Sequence, residues 1–306
     1  MIILELFLLA LGFSMLVKGA DWFVDGTSGM ARKLGIPQLV VGLTIVAMGT
    51  STPEAAVSIT AALKNNAGIA IGNVIGSNIL NILIILGVTA VITTVAIQKS
   101  TLYVEIPYML VVTIVLILMG LDGKVSRIEG ILLWGMFLIY LAYLYYLAKK
   151  GKEEKEKVEE SIWKLIVSAI LGGAIVVWGS DITVDAATKI AQILGMSERF
   201  IGLTIVALGT SLPELVTSVT AARKGNADIA IGNIVGSNIF NILFVIGTAA
   251  LIIPVPFTTG FLMDGVVAIM AGVLLWIAVF WKMELRRSWG IVMLAAYAAY
   301  FVYLLL

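Results

Sequence analysis

The sequence predicts an all-α membrane protein: ten transmembrane helices arranged as two inverted five-helix repeats. Three observations carry that expectation. The 306-residue chain is 60% hydrophobic and 13% charged, where soluble domains run at about 45–50% and about 25%. Apolar runs close to the ~20 residues that cross a bilayer as a helix recur along nearly the whole chain. The chain also matches itself at an offset of 160 residues.

Ten apolar segments lie near 2–26, 37–63, 69–95, 103–121, 125–148, 162–187, 197–222, 229–253, 261–281 and 288–306. The first, beginning MIILELFLLALGFSMLV, lacks the basic start and small-residue cleavage site of a signal peptide and reads as the first span. The second and third, and likewise the seventh and eighth, contain the self-similar stretch. Residues 42–87 and 202–247 are identical at 31 of 46 positions without a gap. The fourth and fifth close the first repeat, 1–148, and the ninth and tenth close the second, 162–306. Between them KKGKEEKEKVEES, residues 149–161, reads as a short charged cytoplasmic linker.

Five spans per repeat is an odd number, so the second copy enters from the opposite side; inverted repeats of this kind hold a transport site near the midplane. With the N-terminus outside, the inside loops hold 14 Lys and Arg residues and the outside loops five. The positive-inside rule therefore supports ten spans with both termini outside.

The chain contains no cysteine and no histidine, which removes thiol nucleophiles, histidine bases and the usual zinc ligands. Carboxylates, hydroxyls, amides and carbonyls remain, oxygen ligands suited to hard cations. No enzyme is expected, because no nucleophile–base pair stands out. The net charge of +1 points to no partner. The lipid bilayer is the expected surrounding, with no nucleic acid and no obligate protein partner.

Each repeat carries G-T-S-x-P-E, at Gly49–Glu54 and Gly209–Glu214. A carboxylate at the centre of a membrane helix costs about 2.5–3.5 kcal/mol on translocon scales, so a duplicated one points to function. Pro53 and Pro213 should break the helix and free carbonyls around Ala47–Gly49 and Ala207–Gly209. Helical spacing puts Ala47, Thr50, Ser51, Glu54 and Ser58 on one face, and Ala207, Thr210, Ser211, Glu214 and Ser218 on another. Two such faces meeting about a pseudo-two-fold axis would make a cation cage.

The second motif is G-N-x-x-G-S-N-x-x-N, at Gly72–Asn81 and Gly232–Asn241. Asn73, Ser77 and Asn81 form a polar stripe, as do Asn233, Ser237 and Asn241; such a stripe either glues helices or completes an ion site, and Ser77, Ser237, Asn81 and Asn241 are candidates for the site. Asn78 and Asn238 face elsewhere and read as structural. The paired glycines allow close backbone approach. Asp21, Asp25, Asp181 and Asp185 near the ends of the first and sixth spans either cap helices or line an ion entrance, with the structural reading favoured.

GTSTPE with GNVIGSNILN, and GTSLPE with GNIVGSNIFN, resemble the two alpha-repeats of the cation/calcium antiporter superfamily, and most closely its sodium/calcium exchanger branch with compact prokaryotic members. The resemblance spans all ten segments. It implies exchange of Ca2+ for Na+ by alternating access in a plasma membrane, with the ions as substrates and no cofactor. It implies a core of the second, third, seventh and eighth helices, with the first and sixth sliding as a pair. It implies ligands at Thr50, Ser51, Glu54, Ser77, Thr210, Ser211, Glu214 and Ser237, joined by the carbonyls of Ala47 and Ala207. Asparagine at 241, where some exchangers carry aspartate, weakens a potassium-dependent reading. Proton/calcium exchangers, the alternative, typically carry Gly-Asn-x-x-Glu around their acids.

Overall fold

The computed structural model describes residues 2–151, 158–195 and 207–305. Apart from four two-residue strands it is helical. The first half runs α1 (Ile2–Leu34), α2 (Gln38–Thr50), α3 (Thr52–Leu63), α4 (Gly68–Ile92), β1 (Val95–Ala96), α5 (Thr101–Asp122), β2 (Lys124–Val125) and α6 (Arg127–Lys150). The second runs α7 (Ile162–Ile193), α8 (Ala207–Thr210), α9 (Leu212–Arg223), α10 (Ala227–Ile252), β3 (Val255–Pro256), α11 (Thr259–Phe280), β4 (Glu284–Leu285) and α12 (Arg287–Leu305).

Among the described residues eight helices are long and apolar enough to cross a membrane, and the pair α2–α3 adds a further span. The start of the expected segment 197–222, and residues 152–157 of the linker, lie outside the described residues. Segments one and six extend further than their apolar stretches, as helices of 33 and 32 residues. Beyond residues 26 and 187 they continue past the apolar stretch, and in α1 this extension is packed within the protein, with Thr27, Ser28 and Ala31 buried. Lys33 ties the far end of α1 to the linker, donating to the carbonyls of Val158, at 3.2 Å, and Glu160.

The break in the second span falls where proline requires it. Pro53 has no N–H to offer the Gly49 carbonyl and occupies the first turn of α3, which tolerates proline. The axes of α2 and α3 differ by 51°. Among the described residues four π-helical turns interrupt the other regularity, at Gly42–Val46, Asn81–Leu86, Thr101–Glu105 and Asn241–Ile246. Such single wide turns are frequent at functional sites.

The core is built around α10, buried at every position from Ile229 to Leu243. Its Gly232 and Gly236 allow α2 to lie almost in backbone contact. A Cβ at Gly232 would come 3.0 Å from the Leu43 nitrogen, and one at Gly236 2.8 Å from the Leu43 oxygen. On the periphery α1 and α7 pack along each other through glycine in the same way: a Cβ at Gly172 would lie 2.4 Å from the Phe23 nitrogen, and one at Gly19 2.9 Å from that of Val176. With lipid as apolar as leucine, this close fit of small residues is what holds membrane helices together.

The strands pair between the halves. Val95 and Ala96 of β1 face Leu285 and Glu284 of β4, and Lys124 and Val125 of β2 face Pro256 and Val255 of β3, both antiparallel. Every strand has a counterpart 160 residues away, and each pairs with the neighbour of its counterpart.

Candidate ion-binding site

The bend between α2 and α3 puts Glu54 in the first turn of α3, and Glu214 takes the same place in α9. Both are 1% exposed. The positive end of a helix dipole stabilises a carboxylate there. Asn73 and Asn233 hold the backbone of these turns. Asn73 Nδ2 donates to the Glu54 carbonyl at 3.2 Å and to Ser58 Oγ at 3.0 Å; Asn233 Nδ2 donates to the Glu214 carbonyl at 3.4 Å and to Ser218 Oγ at 2.9 Å. The sequence had assigned these asparagines to the polar stripe without their partners.

The two motif copies meet. Ser51 donates its hydroxyl to Glu214 Oε1 at 2.8 Å, and Ser211 donates to Glu54 Oε1 at 3.5 Å. Thr50 Oγ1 lies 3.0 Å from Asn233 Oδ1, and Ser237 donates to the Ala47 carbonyl at 3.4 Å. Ser77 sits beside the Glu54 carboxylate and Thr50 beside that of Glu214. Thr210 lines a cavity of about 450 Å³ that also touches Pro53, Ser180 and Gly209.

The Ala47 carbonyl differs from its expected state. It is not freed by the break, because the Ser51 N–H still reaches it at 3.0 Å. The hydroxyls of Thr50 and Ser237 reach the same oxygen, at 3.3 Å and 3.4 Å. Ala207 opens α8 at the edge of the described residues, and the surroundings of its carbonyl fall outside them.

Asn81 and Asn241 form a second polar layer. Asn81 Nδ2 donates to Asn238 Oδ1 at 2.9 Å, and Asn241 Nδ2 donates to Asn78 Oδ1 at 3.1 Å. Among the described residues neither donates to Glu54 or Glu214. Asn78 and Asn238 do the structural work their separate facing suggested, but they do so across the interface between the halves. That partnership is invisible in either motif alone.

Among the described residues eight buried side-chain oxygens have no hydrogen-bond partner, and four of them belong to the two motifs: Glu54 Oε2, Glu214 Oε2, Asn81 Oδ1 and Asn241 Oδ1. Buried polar atoms are almost always paired, so a cluster of orphaned acceptors marks a place that a cation can satisfy. No group of three or more acidic side chains suited to a resident metal occurs among the described residues. The arrangement is two carboxylates surrounded by neutral oxygens.

Comparison with known proteins gives the family. The family model described as sodium/calcium exchanger protein matches residues 4–146 and 164–306. The chain belongs to the sodium/calcium exchanger family. Within that family it is similar to the sodium/calcium exchanger MaX1 of Methanosarcina acetivorans, 33% identical, with 99% of each chain covered. It is also similar to the putative antiporter CaxA of Alkalimonas amylolytica, 40% identical over 83% of this chain and 82% of that one. The structure of the sodium-calcium exchanger NCX_Mj soaked with zero Na+ and Ca2+ superposes with a TM-score of 0.87 at 34% identity, covering 99% of this chain and 100% of that chain. This exchanger-family chain is a multi-pass membrane protein of transporter fold.

Proposed function

We propose that this chain is a secondary active antiporter that exchanges Ca2+ for Na+ by alternating access at a site built around Glu54 and Glu214. The observation that carries the reading is the reciprocal one: each glutamate accepts a hydroxyl from the opposite motif copy and keeps one oxygen free of donors. The ligands proposed around them are Thr50, Ser51, Ser77, Thr210, Ser211 and Ser237, the carbonyls of Ala47 and Ala207, and the outer oxygens of Asn81 and Asn241. Calcium takes 6–8 oxygens at about 2.3–2.6 Å, and this set is large enough to supply them.

Charge explains why the two fluxes are coupled. Two ionised glutamates give the bare site two negative charges, and one Ca2+ or two Na+ neutralise them. A bare doubly charged site resists closure in a low-dielectric interior, so loaded states cross and empty ones do not. A third Na+ would make each cycle electrogenic, worth about 2.3 kcal/mol per charge per 100 mV.

The architecture that serves this mechanism is ten spans in two inverted repeats, 1–148 and 162–306, joined by the cytoplasmic linker 149–161. Both termini face outside, in a prokaryotic inner membrane. The offset of 160 residues shared by motifs, strands and hydrogen bonds supports it.

The test is calcium-45 uptake into proteoliposomes. The expected result is uptake that requires internal Na+ and falls at least ~100-fold in Glu54→Gln and in Glu214→Gln, since each removes a charge the cation must balance. Uptake driven by a proton gradient without Na+ would transfer the protein to the proton-coupled branch. Near-normal uptake in either variant would remove the two-glutamate site.

A further inference from the structure

Lys224 caps the C-terminus of α9, and its ammonium reaches across to α1. Nζ lies 3.1 Å from Asp21 Oδ1 and 2.9 Å from Asp25 Oδ1, and donates to the Asp21 main-chain carbonyl at 3.2 Å. Next to this clamp Leu16 and Ala20 of α1 pack against Leu212 and Val216 of α9. The α1–α9 seam is closed.

The residues 160 positions away reproduce the charges of that seam but not its closure. Lys64 caps α3 as Lys224 caps α9, with φ −88° and ψ 14° against φ −82° and ψ 3°. A left-handed residue follows each, Asn65 at φ 59° and Gly225 at φ 80°. Asp181 and Asp185 of α7 correspond to Asp21 and Asp25, one helical turn apart in both cases. Where α1 seats against α9, however, α7 is held off α3 by the cavity of about 450 Å³, lined by Thr52, Ala56, Ser180, Asp181 and Asp185, which reaches Thr210. Lys64, Asp181 and Asp185 are exposed, and among the described residues none of them forms an ion pair.

We propose that Lys224 with Asp21 and Asp25 is an ionic latch sealing one side of the site, and that Lys64 with Asp181 and Asp185 is its counterpart, closing when the protein faces the other way. The inference rests on the alternating-access reading and adds to it the residues that hold each end state. The glycine-packed α1 and α7 move as one body, so seating α7 on α3 unseats α1 from α9. One lysine then gains its two aspartates as the other loses them. A partly exposed ion pair is a modest weight, able to bias a two-state balance by up to about fivefold. That suits a latch that must open in every cycle.

The absence of native cysteines gives a direct test with the full chain in proteoliposomes. Asp25→Cys with Lys224→Cys, and separately Asp185→Cys with Lys64→Cys, are treated with a short bis-methanethiosulfonate, each thiolate displacing one methanesulfinate. Both pairs should link, and each link should block flux. On a background of Asp185→Cys and Lys64→Cys, Lys224→Gln should raise the link yield about fivefold, while Lys224→Arg should leave it unchanged. Failure of the 64–185 pair to link under any ionic condition, with both thiols shown to be reactive, would overturn the proposal. So would a yield indifferent to Lys224→Gln. Linking reports conformation whichever ions are carried, so a chain without Na+-driven Ca2+ uptake would count against the exchange reading and leave the latches standing.

Discussion

Asn78 and Asn238 each donate a side-chain N–H to the other's main-chain carbonyl, both at 3.1 Å. Their Oδ1 atoms in turn accept from Asn241 and Asn81. Four asparagines thus form a closed set beside the glutamates, and only the outer oxygens of Asn81 and Asn241 remain without donors. Replacing Asn78 with leucine removes a donor and an acceptor at once: the Asn241 amide is stranded, while the Asn238 carbonyl keeps the Asn241 main-chain N–H. A loss of about 1–3 kcal/mol is expected for one unsatisfied buried group. Thermal unfolding in detergent should show it, and Asn238→Leu should match it.

Asn241→Asp tests the same layer electrostatically. The Asn241 amide faces Asn78 Oδ1 at 3.1 Å, so aspartate sets one acceptor against another while adding a negative charge. Expected outcomes are a stability loss of about 1–3 kcal/mol and a changed charge per cycle or cation preference. Currents from a supported membrane identical to those of the unmodified chain would exclude Asn241 from the site.

The two serine bridges are unequal, 2.8 Å for Ser51 to Glu214 and 3.5 Å for Ser211 to Glu54. Hydrogen bonds to charged groups contribute about 1.5–3 kcal/mol. Ser51→Ala should therefore weaken calcium binding roughly 10-fold or more, and Ser211→Ala by less. Isothermal titration of both variants gives the ranking, and equal losses would mean the two bridges are equivalent in the calcium-bound state.

Gly172→Ala probes the α1–α7 unit. The added methyl would lie 2.4 Å from the Phe23 nitrogen, and backbone atoms there have no rotamer to retreat into. Overpacking of this kind costs about 1–3 kcal/mol. A lowered melting temperature in detergent is the expected readout, whereas Gly135→Ala, with nothing within 4 Å, should leave it within ~0.5 kcal/mol of the original.

Much of the architecture was legible because hydrophobic length and proline chemistry act locally. The span limits came within a few residues for α4, α6, α10 and α11, and the break at Pro53 falls where a missing N–H demands it. The helical overhangs of α1 and α7 were hidden because apolar length reports the bilayer, not the helix. The π-helical turns after Asn81 and Asn241 were hidden too, since no residue type encodes an i→i+5 bond and neighbouring helices select it. Spacing put Thr50, Ser51 and Glu54 on one face, and all three are buried and hydrogen-bond to the second motif copy. What one motif could not display was its partner: Ser51 reaches the other glutamate, and Asn78 reaches the other asparagine's backbone. The Ala47 carbonyl was misjudged because a proline four residues on orphans Gly49, while Ala47 keeps the Ser51 amide.

The strand pairing bears on ancestry. β1 joins β4 and β2 joins β3, so each strand bonds to the equivalent of its own neighbour, never to a strand of its own half. A single half standing alone would expose both of its strand edges and both faces of its asparagine pair. Two copies of it related by a two-fold axis would satisfy all of them, because every such contact is self-complementary in the manner of an isologous dimer. The reciprocal strand and asparagine contacts of the present chain are those that fusing the subunits of such a homodimer would leave. Fusion also released each half to diverge, as Gly225 and Asp228 standing where the first half has Asn65 and Gly68 display.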